Sequence, residues 1–286
     1  MPESATTDHP STNDSAWHAR LTLGFADDAG TTRLVERSHA GPLRVQKPLY
    51  PEGEAVCHAI VVHPPGGVVG GDQLSISARV GPGAHALLTS PGAAKWYKAN
   101  GKVSRQQVYL QAQAGASVEW LPQESIFFDQ ARVALEQTVV LEADASYIGC
   151  EILCLGRRAS GETFNSGKIT QRTQIHRDGK LVWWEQGALA GGGEMLRSPL
   201  GLDGHSVCAT LLAVGKALPA AALASLREAG LDGAGKFGVT QMKGVLSARY
   251  LGDDSEQARR VMLAVWQRLR PFLLERAAPA LRIWNT

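Results

Sequence analysis

The sequence predicts a mainly β protein with two helices in its C-terminal third, and three observations lead there. Short runs of alternating apolar and polar residues recur from about residue 20 to 214 and again over 239–251, the pattern of half-buried strands. Glycine supplies 31 of the 286 residues against about 7% of an average chain, without a collagen-like period. That excess marks many tight turns and hence many short strands. Helical periodicity appears in two segments only.

Residues 1–15 are rich in Ser, Thr, Asp and Pro and read as a disordered leader; 16–286 reads as one β-rich unit. Leu74, Ile76, Ala78 and Val80 alternate with Ser75, Ser77 and Arg79 until Gly81-Pro82-Gly83 ends the run. Val133, Leu135, Val139 and Leu141 repeat the pattern less cleanly. Ile169, Thr173 and Ile175 alternate with Thr170, Arg172 and Gln174. Arg177-Asp178-Gly179-Lys180 then reads as a hairpin turn into Leu181-Val182-Trp183-Trp184, because Asp-Gly accommodates the positive φ such turns need. The first helix spans 218–229, with Pro219 in its first turn, an alanine-rich body and Gly230 as its stop. The second spans 253–274 and opens on Asp253-Asp254-Ser255-Glu256, a capping-box-like start. Its Ala258, Val261, Val265, Leu269 and Phe272 share a face, and Pro271 is expected to bend or end it. No internal repeat of fixed period is visible.

Lys and Arg exceed Asp and Glu by 29 − 27 = +2, and the pI is near 8.4. Such near-balance argues against a dedicated nucleic-acid binder. No apolar run approaches the ~18 residues of a membrane helix; Val207–Val214 is far shorter. The N-terminus lacks the basic-then-apolar order of a signal peptide. Cys57, Cys150, Cys154 and Cys208 make no disulfide framework, so a reduced, cytoplasmic protein is expected. Cys150 and Cys154 fall on one strand face beside Ile152 and read as buried thiols. The histidines form no close ligand set.

Gly230-Leu231-Asp232-Gly233-Ala234-Gly235-Lys236 matches the first seven positions of a Walker A loop, but Phe237 stands where the magnesium-binding hydroxyl belongs. The segment also follows a helix and precedes a strand, the reverse of a phosphate loop, and reads as a connector. No Gly-x-Ser-x-Gly elbow or Ser-x-x-Lys pair occurs. Glu124, Asp129 and Glu151 sit among apolar neighbours, where a charge is costly unless paired or hydrated. Each either caps a turn, pairs with Arg157, Arg158 or Lys168, or serves acid–base chemistry or a hydrated cation path. The densest segment is His63-Pro64-Pro65-Gly66-Gly67-Val68-Val69-Gly70-Gly71-Asp72. Its prolines fix extended geometry and its glycines allow backbone to approach another strand, a partner or an ion closely.

From that segment the chain resembles the urease accessory protein UreD family, called UreH in some organisms. The resemblance runs in order over 37–286. It includes Gly41-Pro42-Leu43-Arg44, the His63-to-Asp72 loop, Ser90-Pro91-Gly92-Ala93-Ala94-Lys95-Trp96-Tyr97 and Glu119-Trp120-Leu121-Pro122-Gln123-Glu124. Leu155-Gly156-Arg157-Arg158-Ala159-Ser160-Gly161-Glu162, Arg249-Tyr250-Leu251-Gly252 and the terminal Arg282-Ile283-Trp284-Asn285-Thr286 complete it. It implies a helicoid of stacked β-sheets and a non-enzymatic assembly factor. Such a factor binds apo-urease and UreF, and through UreF the GTPase UreG, and assists nickel delivery to the dinickel centre. It further implies no tightly bound cofactor, only transient nickel, and a water-filled tunnel as the nickel route. By motif position, Asp72, Glu124, Asp129, Glu151 and Glu162 are the candidate path residues, since oxygen ligands without a tight cage suit a carrier that must release its ion. His63, Pro64, Pro65, Gly66, Gly67, Gly70, Gly71, Lys95 and Tyr97 are the motif scaffold. Val261, Val265, Trp266, Leu269, Arg282 and Trp284 are candidates for the UreF-facing surface. The alternative is a β-rich hydrolase that uses a pair among Glu124, Asp129 and Glu151.

Overall fold

The structure, a computed structural model, describes residues 16–230 and 234–285. The leader read over 1–15 and part of the Walker-like loop, 231–233, lie outside the described residues. In chain order the first strands are β1 (His18–Asp28), β2 (Thr31–Ala40), β3 (Arg44–Val45), β4 (Val56–Val62), β5 (Gln73–Val80), β6 (His85–Thr89) and β7 (Ala94–Trp96). There follow β8 (Ser104–Ala112), β9 (Ser117–Leu121), β10 (Ser125–Phe127), β11 (Arg132–Leu141), β12 (Ser146–Leu155), β13 (Lys168–Arg177) and β14 (Lys180–Ala190). The last part holds α1 (Glu194–Arg197), β15 (Val207–Val214), α2 (Ala220–Arg227), β16 (Lys236–Met242), β17 (Val245–Gly252) and α3 (Ser255–Leu274).

A seven-stranded sheet runs β14-β13-β11-β8-β5-β1-β2; a ten-stranded sheet runs β16-β17-β15-β12-β9-β6-β4-β3, with β10 and β7 attached beside β12. The chain alternates between them. Strands β1, β5, β8, β11 and β13 are parallel neighbours in the first sheet, and β4, β6, β9 and β12 in the second. Each passage from first sheet to second and back is thus one coil of a solenoid-like stack, the helicoid that the resemblance implied.

The coils reveal a repeat that the sequence hides. Val80, Ala112 and Leu141 lie in register, and each is followed by a short corner ending on a buried alanine: Ala84, Ala116 or Ala145. The return passages, 63–72, 90–103, 122–131 and 156–167, are not all of one length. Their variation destroys any fixed sequence period, while the strand register preserves the structural one.

The alternating runs form β5, β11 and β13 as read. The hairpin turn places Asp178 at φ 48° and Gly179 at φ 73°, the left-handed pair of a two-residue turn that the right-handed twist of the strands favours. Asp254 caps α3, its Oδ1 accepting from the Glu256 and Gln257 N–H groups. The helix reaches Leu274 as read, and Pro271 does not end it. Proline removes one helical hydrogen bond, but Pro271 and Gln267 one turn earlier are exposed, so the freed carbonyl is open to solvent. Packing of Leu269, Arg270 and Leu273 carries the helix onward. The one-turn α1 has no apolar period to announce it.

Two cores result. One fills the space between the sheets, and the other lies between the ten-stranded sheet and helices α2 and α3. Strand β12 serves both: Tyr147, Leu153 and Leu155 face the first sheet, while Ile148, Cys150, Ile152 and Cys154 face the helices. Burial pushes both thiols up to about 12, which makes them inert core groups. The α3 face proposed for UreF is likewise internal. Val261, Val265, Trp266 and Leu269 are at most 3% exposed, so the chain itself already covers that stripe.

Gly167 fixes the last return passage to β13. Its φ is +103°, and a Cβ there would lie 2.2 Å from the Ala131 carbonyl oxygen. Gly167→Ala is expected to cost about 2 kcal/mol or more, since main chain cannot step aside; urea denaturation measures it.

Candidate functional site

A polar layer crosses the otherwise apolar space between the sheets. On the seven-stranded sheet Gln106, Leu135 and Gln171 are register neighbours. Opposite them, on the ten-stranded sheet, stand Glu151, Thr210 and Arg249. Gln171 Nε2 donates to Glu151 Oε2, and Arg249 pairs with Glu185 at 2.8 Å. Inner faces of packed sheets are normally apolar, so a row of such groups calls for a purpose.

Two cavities flank this layer. One of about 360 Å³ is lined by His63, Gly66, Gly67, Lys95, Gln106 and Trp120, with Glu151 and Leu153 on its inner wall. The other, about 480 Å³, is lined by Gln171, Glu185, Thr210, Arg249 and Lys236, again with Glu151 and Leu153. Glu151 therefore stands at the boundary of both. Burial pushes its carboxyl up to about 7, against the Gln171 hydrogen bond and with help from Glu185. Near neutral pH it exists in both protonation states.

In the first cavity His63 Nε2 and Trp120 Nε1 are buried and have no protein partner. Burial lowers the His63 pKa, with Asp72 opposing, so the imidazole is neutral there. Buried polar atoms without protein partners call for a solute or water. Among the described residues no group of three or more His, Cys, Asp or Glu side chains is placed to hold a metal ion. These polar groups stand singly along the cavity walls and form no cage.

Of the five path carboxylates, only Glu151 lines either cavity. Asp72 is 2% exposed and accepts from the Trp17 and Val69 N–H groups at 2.9 and 3.1 Å. Glu124 is bound to Arg259 of α3. Asp129 accepts from the Asn165 and Ser166 N–H groups at 2.8 Å. Glu162 accepts from the Asp129 N–H at 2.7 Å and binds Arg157. These four are engaged with main-chain N–H groups or arginines and line neither cavity. The same placements give Glu124, Asp129 and Glu151 different partners: Arg259, the main chain of 165–166 and Gln171. Lys236 of the Walker-like loop lies on β16 and binds Asp203, not at a helix start.

The motif scaffold interlocks at one end of the coils. Val68 bridges Trp96, and a Cβ on Gly67 would fall 2.2 Å from the Tyr97 ring, so any larger residue there has to displace that ring. Tyr97 meets Phe128 edge-on at 4.9 Å, and the Arg157 guanidinium lies over Phe128 at 4.4 Å. Lys95 is exposed at the rim of the first cavity. In the tail, Trp284 Nε1 donates to Thr89 Oγ1 at 2.8 Å, while Arg282 is exposed.

Sequence reasoning missed a second polar cluster. Arg270 of α3, 0% exposed, binds Glu119 at 3.0 Å and Glu52 at 2.7 Å. Glu119 also meets His85 Nε2 at 2.7 Å and accepts from Trp266 Nε1 at 2.6 Å, and Glu52 meets His58 Nε2 at 2.7 Å. Burial would raise the Glu119 and Glu52 pKa values, but hydrogen bonds from His85, His58 and Arg270 hold both below the usual range, Glu52 at about 2. The signal was present: Glu119 sits in an apolar strand as conspicuously as Glu124. Arg270 lies one turn from Trp266 on the apolar face of α3.

The family model described as UreD urease accessory protein matches residues 18–285. A urease accessory protein UreD of Janthinobacterium sp. (strain Marseille) is 64% identical over 270 residues, 94% of this chain and 91% of the relative. One from Nitrosospira multiformis is 54% identical over 96% of this chain and 99% of its own. One from Dechloromonas aromatica is 50% identical over 95% of each. With near full-length matches at these identities, and the motif loops gathered at one end of a coiled β stack, the chain belongs to the UreD family of urease accessory proteins.

Proposed function

We propose that the chain is a non-enzymatic assembly factor of urease maturation. It binds apo-urease and UreF, and through UreF the GTPase UreG, in the cytoplasm. Nickel passes along the polar layer between its sheets toward the urease dinickel centre, as cargo and without a tightly held cofactor. The observation that carries this reading is Glu151, the one carboxylate that borders both cavities. A neutral His63 and a carboxylate that gains and loses its proton near pH 7 suit brief coordination of a divalent transition metal. The matched relatives are named for service to urease, and no helix among the described residues is long and apolar enough to cross a membrane.

The test plugs the layer. Thr210 lines the second cavity from β15, and Thr210→Trp is expected to fill it. In a reconstitution with apo-urease, UreF, UreG, nickel and bicarbonate, the variant should still co-purify with its partners. Nickel per urease, measured by elemental analysis, should fall at least about tenfold, a barrier increase of about 1.4 kcal/mol. Unchanged nickel loading with the cavity filled sinks the route.

A further inference from the structure

The first cavity collects hydrogen-bond donors that the fold does not use. Gln106 reaches it from the seven-stranded sheet and Trp120 from the ten-stranded sheet, while Lys95 of β7, Ser125 of β10 and His63 complete the polar wall. Trp120 is 4% exposed, and its Nε1–H has no protein partner. No described residue hydrogen-bonds the side chains of Lys95, Gln106 or Ser125, and His63 Nε2 is buried and unpaired. By contrast, Ser90 and Gln123 on the same wall donate to the Gly92 and Pro91 carbonyls. An indole N–H and an ammonium can only donate; an amide, a hydroxyl and a neutral imidazole each have a proton to give. Polar groups left unpaired in an interior cost stability, so five together point to a ligand that accepts.

Charge narrows the class. Among the residues that line this cavity, Lys95 carries the one lasting positive charge and Glu151 the one carboxyl. In the second cavity Glu185 is held by Arg249, and Lys236 is paired with Asp203. A divalent cation between the sheets therefore meets a single uncommitted carboxylate and stays one negative charge short. An uncompensated charge in an apolar interior is strongly disfavoured. Donors cannot offset a cation, but they can hold the missing anion. One fixed cation matches a monoanion better than a dianion. Several oxygens in one plane let that monoanion accept from both sheets at once, which a single sphere does less well.

We propose that the first cavity binds a small planar oxyanion, bicarbonate or a simple carboxylate such as formate, which gives a metal ion at Glu151 its second negative partner. The site follows from the donors; its pairing with the metal rests on the nickel-route reading. At about 360 Å³ the cavity holds such an ion with part of its hydration, since a water molecule takes about 30 Å³.

Carbon-13 formate and carbon-13 bicarbonate are titrated separately into the metal-free chain, and saturable broadening of the carbon resonance reads binding. At least one should bind, and the tighter of the two names the source. Trp120→Phe and Gln106→Leu each remove a donor and keep the wall filled. Each should weaken binding about tenfold, or 1.4 kcal/mol, without lowering the thermal midpoint in anion-free buffer. Lys95→Met, at the exposed rim, should weaken it similarly and keeps the test independent of core packing. Displacement by chloride at equal concentration marks an adventitious ion only and overturns the site. So does undiminished binding in all three variants, or no saturable binding of either anion. By linkage, nickel and the anion should tighten each other's binding by one common factor of about ten, read by equilibrium dialysis. Donor-dependent anion binding with unchanged nickel affinity overturns the pairing and leaves the site standing. Nickel loading that Thr210→Trp blocks, in a chain that binds neither anion, overturns the site and leaves the route standing.

Discussion

Glu151→Gln is expected to yield a protein that is more stable at pH 8 and a poorer activator of urease. The carboxyl is raised from 4.5 to about 7, chiefly by burial. A raised carboxyl contributes its full stability below pH 4.5 and loses it as pH climbs through 7. At pH 8 the ionised group costs the fold about 3 kcal/mol, from a shift of about 2.5 pH units at 1.36 kcal/mol each. Glutamine keeps the shape and the contact with Gln171 but carries no charge, so it recovers most of that cost at pH 8 and almost none at pH 4.5. Urea denaturation at the two pH values reads the difference. Nickel loading of urease by the variant should fall, because an amide is a weaker ligand and has no proton to exchange. Equal stability gain at both pH values would show that Glu151 is not held protonated by burial. Stability given up at one carboxylate in the interior is the usual mark of function.

The second large effect is structural. Arg270→Met should destabilise the chain by about 3–5 kcal/mol, because it strands buried charge and not because an ion pair is intrinsically valuable. Glu119 is 0% exposed and would keep only His85 and Trp266; Glu52 would keep His58. Because hydrogen bonds hold Glu52 down at about 2, the stability it contributes is present above about pH 4.5 and lost as pH falls toward 2. The damage done by Arg270→Met should therefore shrink in acid. Adding Glu119→Leu to Arg270→Met should return part of the lost stability, since it removes the stranded carboxylate. Non-additive chemical denaturation of the two single variants and the double variant is the readout. Additive losses would mean that the two side chains act independently.

Much of the fold is legible in the order of the residues. Leu74-to-Val80 and Ile169-to-Ile175 announce strands because each has one apolar face, and Asp178-Gly179 announces its hairpin because few other pairs accept positive φ at both positions. The start of α3 is legible in Asp254. What escapes is longer in range. The coil repeat stays hidden because insertions in the return passages separate three corners that only strand register aligns.

The site divides in the same way. Buried-charge reasoning marks Glu151 as a position of unusual cost, yet it does not separate Glu151 from Glu124 or Asp129, which stand in equally apolar stretches. The difference lies in what each meets across the fold: Arg259 from α3, main-chain N–H groups from 165–166, or the open space between two sheets. It likewise passes over Arg270, whose partners Glu52 and Glu119 are far away in sequence. The sequence by itself determined the β-rich class, the strand faces, the helix cap and the family. Only the tertiary structure decided which carboxylates are spent on the fold and which one faces a cavity. Periodicity is a property of neighbours along the chain, whereas the protonation and availability of a buried group are set by residues brought to it from elsewhere.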